Sequence, residues 1–477
     1  MAGDDADGRN KSEDTKRGLL LQVATALALS VVGFNIGACM SFSGIFAEQM
    51  TSADARPALS RSQISWVASA YAIGNIPGFL LSSYANPRLG TIRLVQLCAP
   101  VLAGGWLLLA LGNSFWTMLA GRALTGIGVG TAFGPTITHI GEISSVNVRG
   151  ALSVFLNVMI SAGMLAIFLC GWQLDWRHTC LVVGIGPVVV MFLVTLMLPR
   201  SAKWLISKGH PVEEAQRSLR FYHGHDYDVD KEIRSIRDSL GDQHKCDASL
   251  LDVLKLLKHR RYSQPFCIVL VSFIFFMSSG GFTTAAFAPV VFKQVGAIDN
   301  PYMGSIFVGV LRVTASVLTS PVMSKCERST LMMTNGAVGG AACVVAGCFL
   351  FYSAALADYA WVSLVSILVI VGAMSFGIGV LTNVLLAELL PNAVRAELGG
   401  IVLLLAAVVN FGMLYAFPAL IALLGMPGVY WFFAAMHVAM LVFAKFFVPQ
   451  TRGKTIEEIQ KMFEKDDDVG QTVTTGQ

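Results

Sequence analysis

The chain has 477 residues, 55% of them hydrophobic and only 13% charged, against roughly 25% charged in a soluble domain. So much apolar surface excludes a soluble globular protein. The net charge of +4 is unremarkable and points to no nucleic-acid partner.

A spanning helix needs about 20 apolar residues, so twelve would take about half the chain. Residues 1–17, MAGDDADGRNKSEDTKR, are polar, lack the apolar core and cleavage site of a signal peptide, and read as a disordered cytoplasmic tail. Six spans are predicted near 18–42, 62–84, 92–112, 115–140, 150–171 and 178–198, forming an N-terminal bundle over 18–198. A central cytoplasmic segment, 199–262, carries DKEIRSIRDSL (230–240) and SLLDVLKLLKHRR (249–261). Both have the apolar spacing of amphipathic helices lying under the bundle. KLLKHRR also fits calmodulin-type or lipid-surface binding, although basic residues beside a membrane are expected in any case. Six further spans near 263–289, 302–323, 331–352, 359–387, 397–424 and 428–448 make a C-terminal bundle over 263–448, and 449–477 is a second tail. Arg88, Arg93, Arg149, Lys325, Arg328 and Arg395 fall in short loops on the side of the Lys- and Arg-rich central segment. The positive-inside rule puts that side, and both termini, in the cytoplasm.

The expected fold class is therefore all-α: a membrane protein with 12 transmembrane helices in two six-helix bundles and a cytoplasmic helical segment between them. A repeat supports two similar halves. Gly141–Gly150 reads GEISSVNVRG, with Glu142 and Arg149 seven residues apart, close to two helical turns. Glu388 and Arg395 repeat that spacing 246 positions later. Leu198-Pro199 and Val448-Pro449 pair at nearly the same offset. In duplicated transporters the substrate site lies between such halves. Gly121, Gly126, Gly128, Gly130 and Gly134 read as a close-packing face, not a nucleotide loop, because they lie inside an apolar helix. The nine Cys are scattered without CxxC and read as apolar packers. No cofactor, metal site, Walker motif or nucleophile–base constellation is recognised, so no enzyme activity is expected.

On these residues the chain resembles the sugar porter family of the major facilitator superfamily over nearly all of 20–460. The matching segments are Gly121–Gly130, Gly141–Ser144 with Arg149–Leu152, LPRSAKWL at 198–205, Ala387–Pro391 with Arg395, and Pro449–Thr455. Ser218–Gly224 and Pro100 look most like arthropod facilitated trehalose transporters. The resemblance implies a cytoplasmic gating charge network at Arg88, Arg122, Glu142, Arg149, Glu388 and Arg395, with Arg122 nearer the outer end of its span. Three departures stand out. The family's first motif acid is Pro87 here, its second copy reads Ser324-Lys-Cys-Glu-Arg328, and its PESPR acid is Arg200. They predict an inward gate held less tightly than in a motif-complete relative.

Sugar hydroxyls both donate and accept, so amide side chains suit them. Carried over position by position, the family's sugar-contact amides fall on Asn157, on Phe276 and Met277, on Phe282, on Arg312 and on Asn410. Its PxPW falls on Val380, Thr382 and Asn383. Two amide positions survive, and the Trp is gone. Ser278, Ser279, Thr283 and Thr284 either line the cavity or pack helices. Arg312 lies deep in its span, where a charge faces a cavity or a partner by default. It is open to three readings: a snorkelling or carbonyl-paired Arg, a cavity cation for an anion, or half of an ion pair. Asn35 falls where proton-coupled members of the family carry Asp and facilitative members Asn, which implies uniport. It also fits as a packing amide. His139 reads as a helix-end hydrogen bonder or a proton relay.

The expected function is facilitative transport of a carbohydrate such as a hexose or trehalose, by alternating access, in a monomer embedded in the lipid bilayer of the plasma membrane. The rivals are a same-fold carrier of a different organic solute, an anion included, and a non-transporting nutrient sensor.

Overall fold

The computed structural model describes residues 18–52, 56–145, 148–224, 227–243, 255–296, 300–353, 355–391, 394–451, 458–459 and 462–463. The tail 1–17, most of 449–477, the stretch 244–254 and the Arg149 side chain lie outside the described residues. All regular structure among those described is helical.

Six crossings make the first half: α1 Gly18–Met50, α2 Arg61–Leu89, α3 Thr91–Leu111, α4 Phe115–Ile143, α5 Arg149–Gln173 and α6 Trp176–Met197, which contains a wide π-helical turn at Cys180–Ile185. Three short helices follow: α7 Ala202–Ser207, α8 Val212–His223 and α9 Val229–Gln243. The side of the bundle that carries them is called the near side below, and the opposite side the far side. The second half has α10 Arg260–Ser278, α11 Gly281–Ala286 and α12 Ala288–Val295 as one broken crossing, then α13 Pro301–Lys325 and α14 Arg328–Phe351. A second broken crossing joins α15 Trp361–Phe376 to α16 Ile378–Leu389. Helix α17, Arg395–Phe447, is two crossings joined through Gly425 at φ 68°, ψ 167°.

Twelve crossings in two halves thus match the expected fold. Two expected spans, 263–289 and 359–387, are each interrupted. Gly280 takes φ 86° between α10 and α11, a left-handed conformation that costs glycine little. A side chain there would also collide with the Phe433 ring. Gly377 carries the second break, with non-helical φ −114°, ψ −99°.

Packing follows the small residues. In lipid, helices associate through close van der Waals contact, and α4 packs against both α2 and α3. A methyl added at Gly126 would run into the Tyr71 carbonyl, and one at Gly130 would sit 2.7 Å from that of Asn75. Arg122 pins this layer. It is fully buried, and its Nε donates to Val67 O at 3.2 Å, its Nη1 to Cys39 O at 2.9 Å, and its Nη2 to Ser43 Oγ at 2.7 Å and Ala68 O at 3.1 Å. Its guanidinium also lies over the Tyr71 ring at 4.7 Å.

The short helices dock on the near side of the first half. Trp204 of α7 donates from Nε1 to Pro87 O at 3.2 Å, and its ring packs on Gly90. Tyr222 of α8 donates to Pro199 O at 2.9 Å and meets His139 Nε2 at 3.4 Å. Gln22 of α1 donates to Tyr222 O at 3.1 Å. His139 bonds Thr91 through Nδ1 at 2.8 Å, so it serves as a hydrogen-bonded link between helices at the near side.

Candidate functional site: a midplane cavity between the halves

The halves meet chiefly where α5 faces α13 and α2 faces α17. Between these contacts lies a cavity of about 220 Å³, lined by residues of α1, α2, α4, α5, α10, α11, α13, α15, α16 and α17. Most of its wall is apolar. Four carboxamides break that wall: Asn75, Asn157, Asn383 and Asn410. Phe276 and Phe282 pack edge to face at 5.8 Å on one side.

Of the residues expected at the site, Asn157, Phe276, Phe282, Arg312, Asn383 and Asn410 lie on this wall. Ser279, Thr283 and Thr382 do not, and this corrects the expected set. They are buried within the second half; Ser279 Oγ donates to Phe276 O at 3.4 Å and Thr382 Oγ1 to Gly379 O at 3.5 Å. The left-handed Gly280 is the physical reason for the first two. It rotates α11 relative to α10, so Phe282 turns to the cavity and Thr283 turns away. Asn75 was missed. Its signal was an amide one turn after Tyr71 in an apolar helix, both of which line the cavity.

Arg312 stands at the middle of α13. One turn on, Ser316 Oγ donates to Arg312 O at 2.8 Å and lies 2.9 Å from Ser161 Oγ of α5, a direct bond between the halves. Among the described residues the guanidinium has no hydrogen-bond partner at Nε or Nη1, and both atoms are buried. Asn75 Oδ1 and Asn410 Oδ1 are likewise buried without protein partners. Tyr71 Oη is a fifth such atom on the wall. Interior polar atoms are normally hydrogen-bonded, and five exceptions on one cavity wall mark a place built to hold polar groups of a guest. Asn35 is off the wall, fully buried, with Nδ2 donating to Val31 O at 3.2 Å.

The charge network differs from the expected one. Glu388 pairs not with Arg395 but with Arg328, at 2.9 Å from Nη2, and accepts from Thr451 Oγ1 at 2.7 Å. Arg395 turns back to cap Leu390 O at 3.0 Å from Nη2. Arg88 donates to Tyr84 O at 2.7 Å in its own helix. Glu142 lies beside Ser201 and Lys203 of the near-side segment. Arg122 belongs to the buried pin described above, far from Glu142. Hydrogen bonds between the halves include Ser161 with Ser316 at the midplane and a group on the far side. There, Lys293 and Tyr302 of the second half meet Glu48 of the first, at 2.8 and 2.6 Å.

Two six-crossing halves around a midplane cavity define a membrane solute transporter of the major facilitator fold. The family described as "Sugar (and other) transporter" matches residues 21–463, and the chain belongs to it. It is 26% identical over 449 residues to a protein of Polypedilum vanderplanki named "Facilitated trehalose transporter Tret1", covering 93% of this chain and 87% of that one. It is also 26% identical over 430 residues to the human "Solute carrier family 2, facilitated glucose transporter member 6", covering 85% and 83%. Among solved structures, the inward-open xylose transporter XylE of E. coli superposes with a TM-score of 0.76 at 22% identity, over 92% of this chain and 99% of that one.

Proposed function

We propose that this chain is a uniporter of a carbohydrate or a carbohydrate-derived solute, working by alternating access. The two halves rock about the midplane cavity, opening it to one side and then the other. The observation that carries this reading is the set of four amides, Asn75, Asn157, Asn383 and Asn410, on a largely apolar wall shared by both halves. Amides offer a donor and an acceptor each, as hydroxyl-rich guests require. The names of the relatives support the solute class. Asn35 supports uniport, since an amide cannot take up and release a proton. Clustered Arg in the near-side loops supports a cytoplasmic near side and cytoplasmic termini, with the plasma membrane as the site of action and a monomer as the working unit.

The test is uptake into proteoliposomes of labelled glucose, trehalose and D-gluconate, with and without a pH gradient. Saturable flux of any of them, unchanged by the gradient, supports uniport. Flux that collapses without a proton gradient contradicts uniport, and no flux of any of them in folded protein contradicts the reading as a whole.

A further inference from the structure

The carbohydrate reading leaves one group unexplained. Arg312 is the sole cationic side chain on the cavity wall among the described residues, and the same wall holds no Asp or Glu. Arg stays protonated in proteins. A guanidinium deep in a membrane protein is stabilised by a partner or a water-filled cavity, yet its buried Nε and Nη1 find neither a carboxylate nor a carbonyl among the described residues. Ser316, one turn further along α13 on the same wall, is already engaged with Ser161 and the Arg312 carbonyl.

Resting on the transport reading above, we infer that the solute is a monoanionic hydroxy acid whose carboxylate pairs with Arg312 while its hydroxyls meet the asparagines. The guanidinium fork matches a carboxylate's two oxygens. One cation on the wall matches one negative charge; a phosphate ester, with close to two, would stay half compensated. The amides, on α2, α5, α16 and α17, line the same cavity as Arg312, so a guest anchored at Arg312 presents its chain of hydroxyls to them. A neutral sugar occupies the same space but leaves the buried guanidinium unpaired, and sites rejecting ligands on that ground do so by large factors.

Charge gives the inference a second consequence. The loaded cavity is neutral and the empty one carries +1, so each cycle moves one negative charge. Accumulation of the acid then follows the membrane potential, and that of a neutral sugar does not.

The experiment uses the full chain in proteoliposomes, with potentials set by potassium and valinomycin, and labelled D-gluconate beside D-glucose. The expected result is faster gluconate than glucose uptake, greater gluconate accumulation with the inside positive, and a loss of about 100-fold or more in gluconate flux in Arg312→Gln. Arg312→Lys should restore part of that flux. Because a variant can misfold, the wild-type protein in detergent is also assayed: gluconate should raise its melting temperature more than glucose at equal concentration. Potential-independent flux of glucose without flux of gluconate overturns this inference and leaves the transport reading standing. Flux of neither solute, with no thermal shift from either, overturns both.

Discussion

Lys293 at the end of α12 donates to Glu48 at the end of α1 across 2.8 Å, joining residues 245 positions apart in the chain. The same carboxylate accepts from Tyr302 at 2.6 Å, and Tyr302 accepts from Gln49 at 3.2 Å. Glu48 is 13% exposed and Lys293 51%, so the link is partly hydrated and modest by itself. Its importance lies in position: it ties one half to the other at the far side, where the cavity would have to open.

Removing this latch should shift the population toward far-side opening. In Glu48→Ala, a cysteine introduced at Ile36 on the cavity wall should react several-fold faster with an impermeant thiol reagent added from the far side. An unchanged labelling rate would mean that packing, such as Trp66 against Tyr415 at 5.0 Å, closes the far side unaided.

Arg122 should matter for folding, not gating. Arg122→Met strands the carbonyls of Val67, Cys39 and Ala68, at a cost of about 3 kcal/mol or more. Melting of the detergent-solubilised protein should fall by several degrees with solute selectivity intact among the molecules that fold. A variant that melts normally but loses flux would return Arg122 to the transport cycle.

Asn35 tests the coupling claim. Wild-type flux should not follow a pH gradient. Asn35→Asp places a carboxylate in a fully buried site beside the Val31 carbonyl, and burying such a charge is costly unless it is neutralised. Flux of the variant should therefore be low at neutral pH and recover as the medium is acidified. A wild type that itself requires a gradient would contradict uniport.

The docking of α8 should be sensitive to acid. Burial pushes the His223 imidazole below its ordinary range, with Glu232 opposing the shift. The ring is held neutral between Gln22 Nε2 at 3.0 Å and the stacked Tyr227 ring at 4.3 Å. Once released, it takes up a proton at its ordinary value of 6.5. Docking strength is therefore complete above that value and is lost as pH falls from there through the lowered folded value. Limited proteolysis of the central segment should speed up between pH 7.5 and pH 5 (about twofold or more by linkage), and His223→Gln should flatten the response. Equal cleavage rates at both values would show that His223 does not control docking.

The sequence made the fold legible because twelve apolar runs and a duplicated polar knot leave few alternatives. Arg312 was legible for a related reason: a charge in mid-span must face something polar; Asn157 was placed only through the family resemblance. Ser279, Thr283 and Thr382 were misread because helix breaks at Gly280 and Gly377 decide which face meets the cavity, and composition does not reveal a rotation. The Glu48–Lys293 link, and the pairing of Glu388 with Arg328 in place of Arg395, depend on how helices dock. Spacing along the chain carries no record of that.

The central claim is that solute crosses through the midplane cavity by uniport, and counterflow measures it most directly. Proteoliposomes loaded with unlabelled solute, without any ion gradient, are given a trace of label outside. The account predicts a transient overshoot of label in the wild type and none in folded Ala407→Trp, which fills the cavity wall. No overshoot in the wild type, or an overshoot that survives Ala407→Trp, would contradict it.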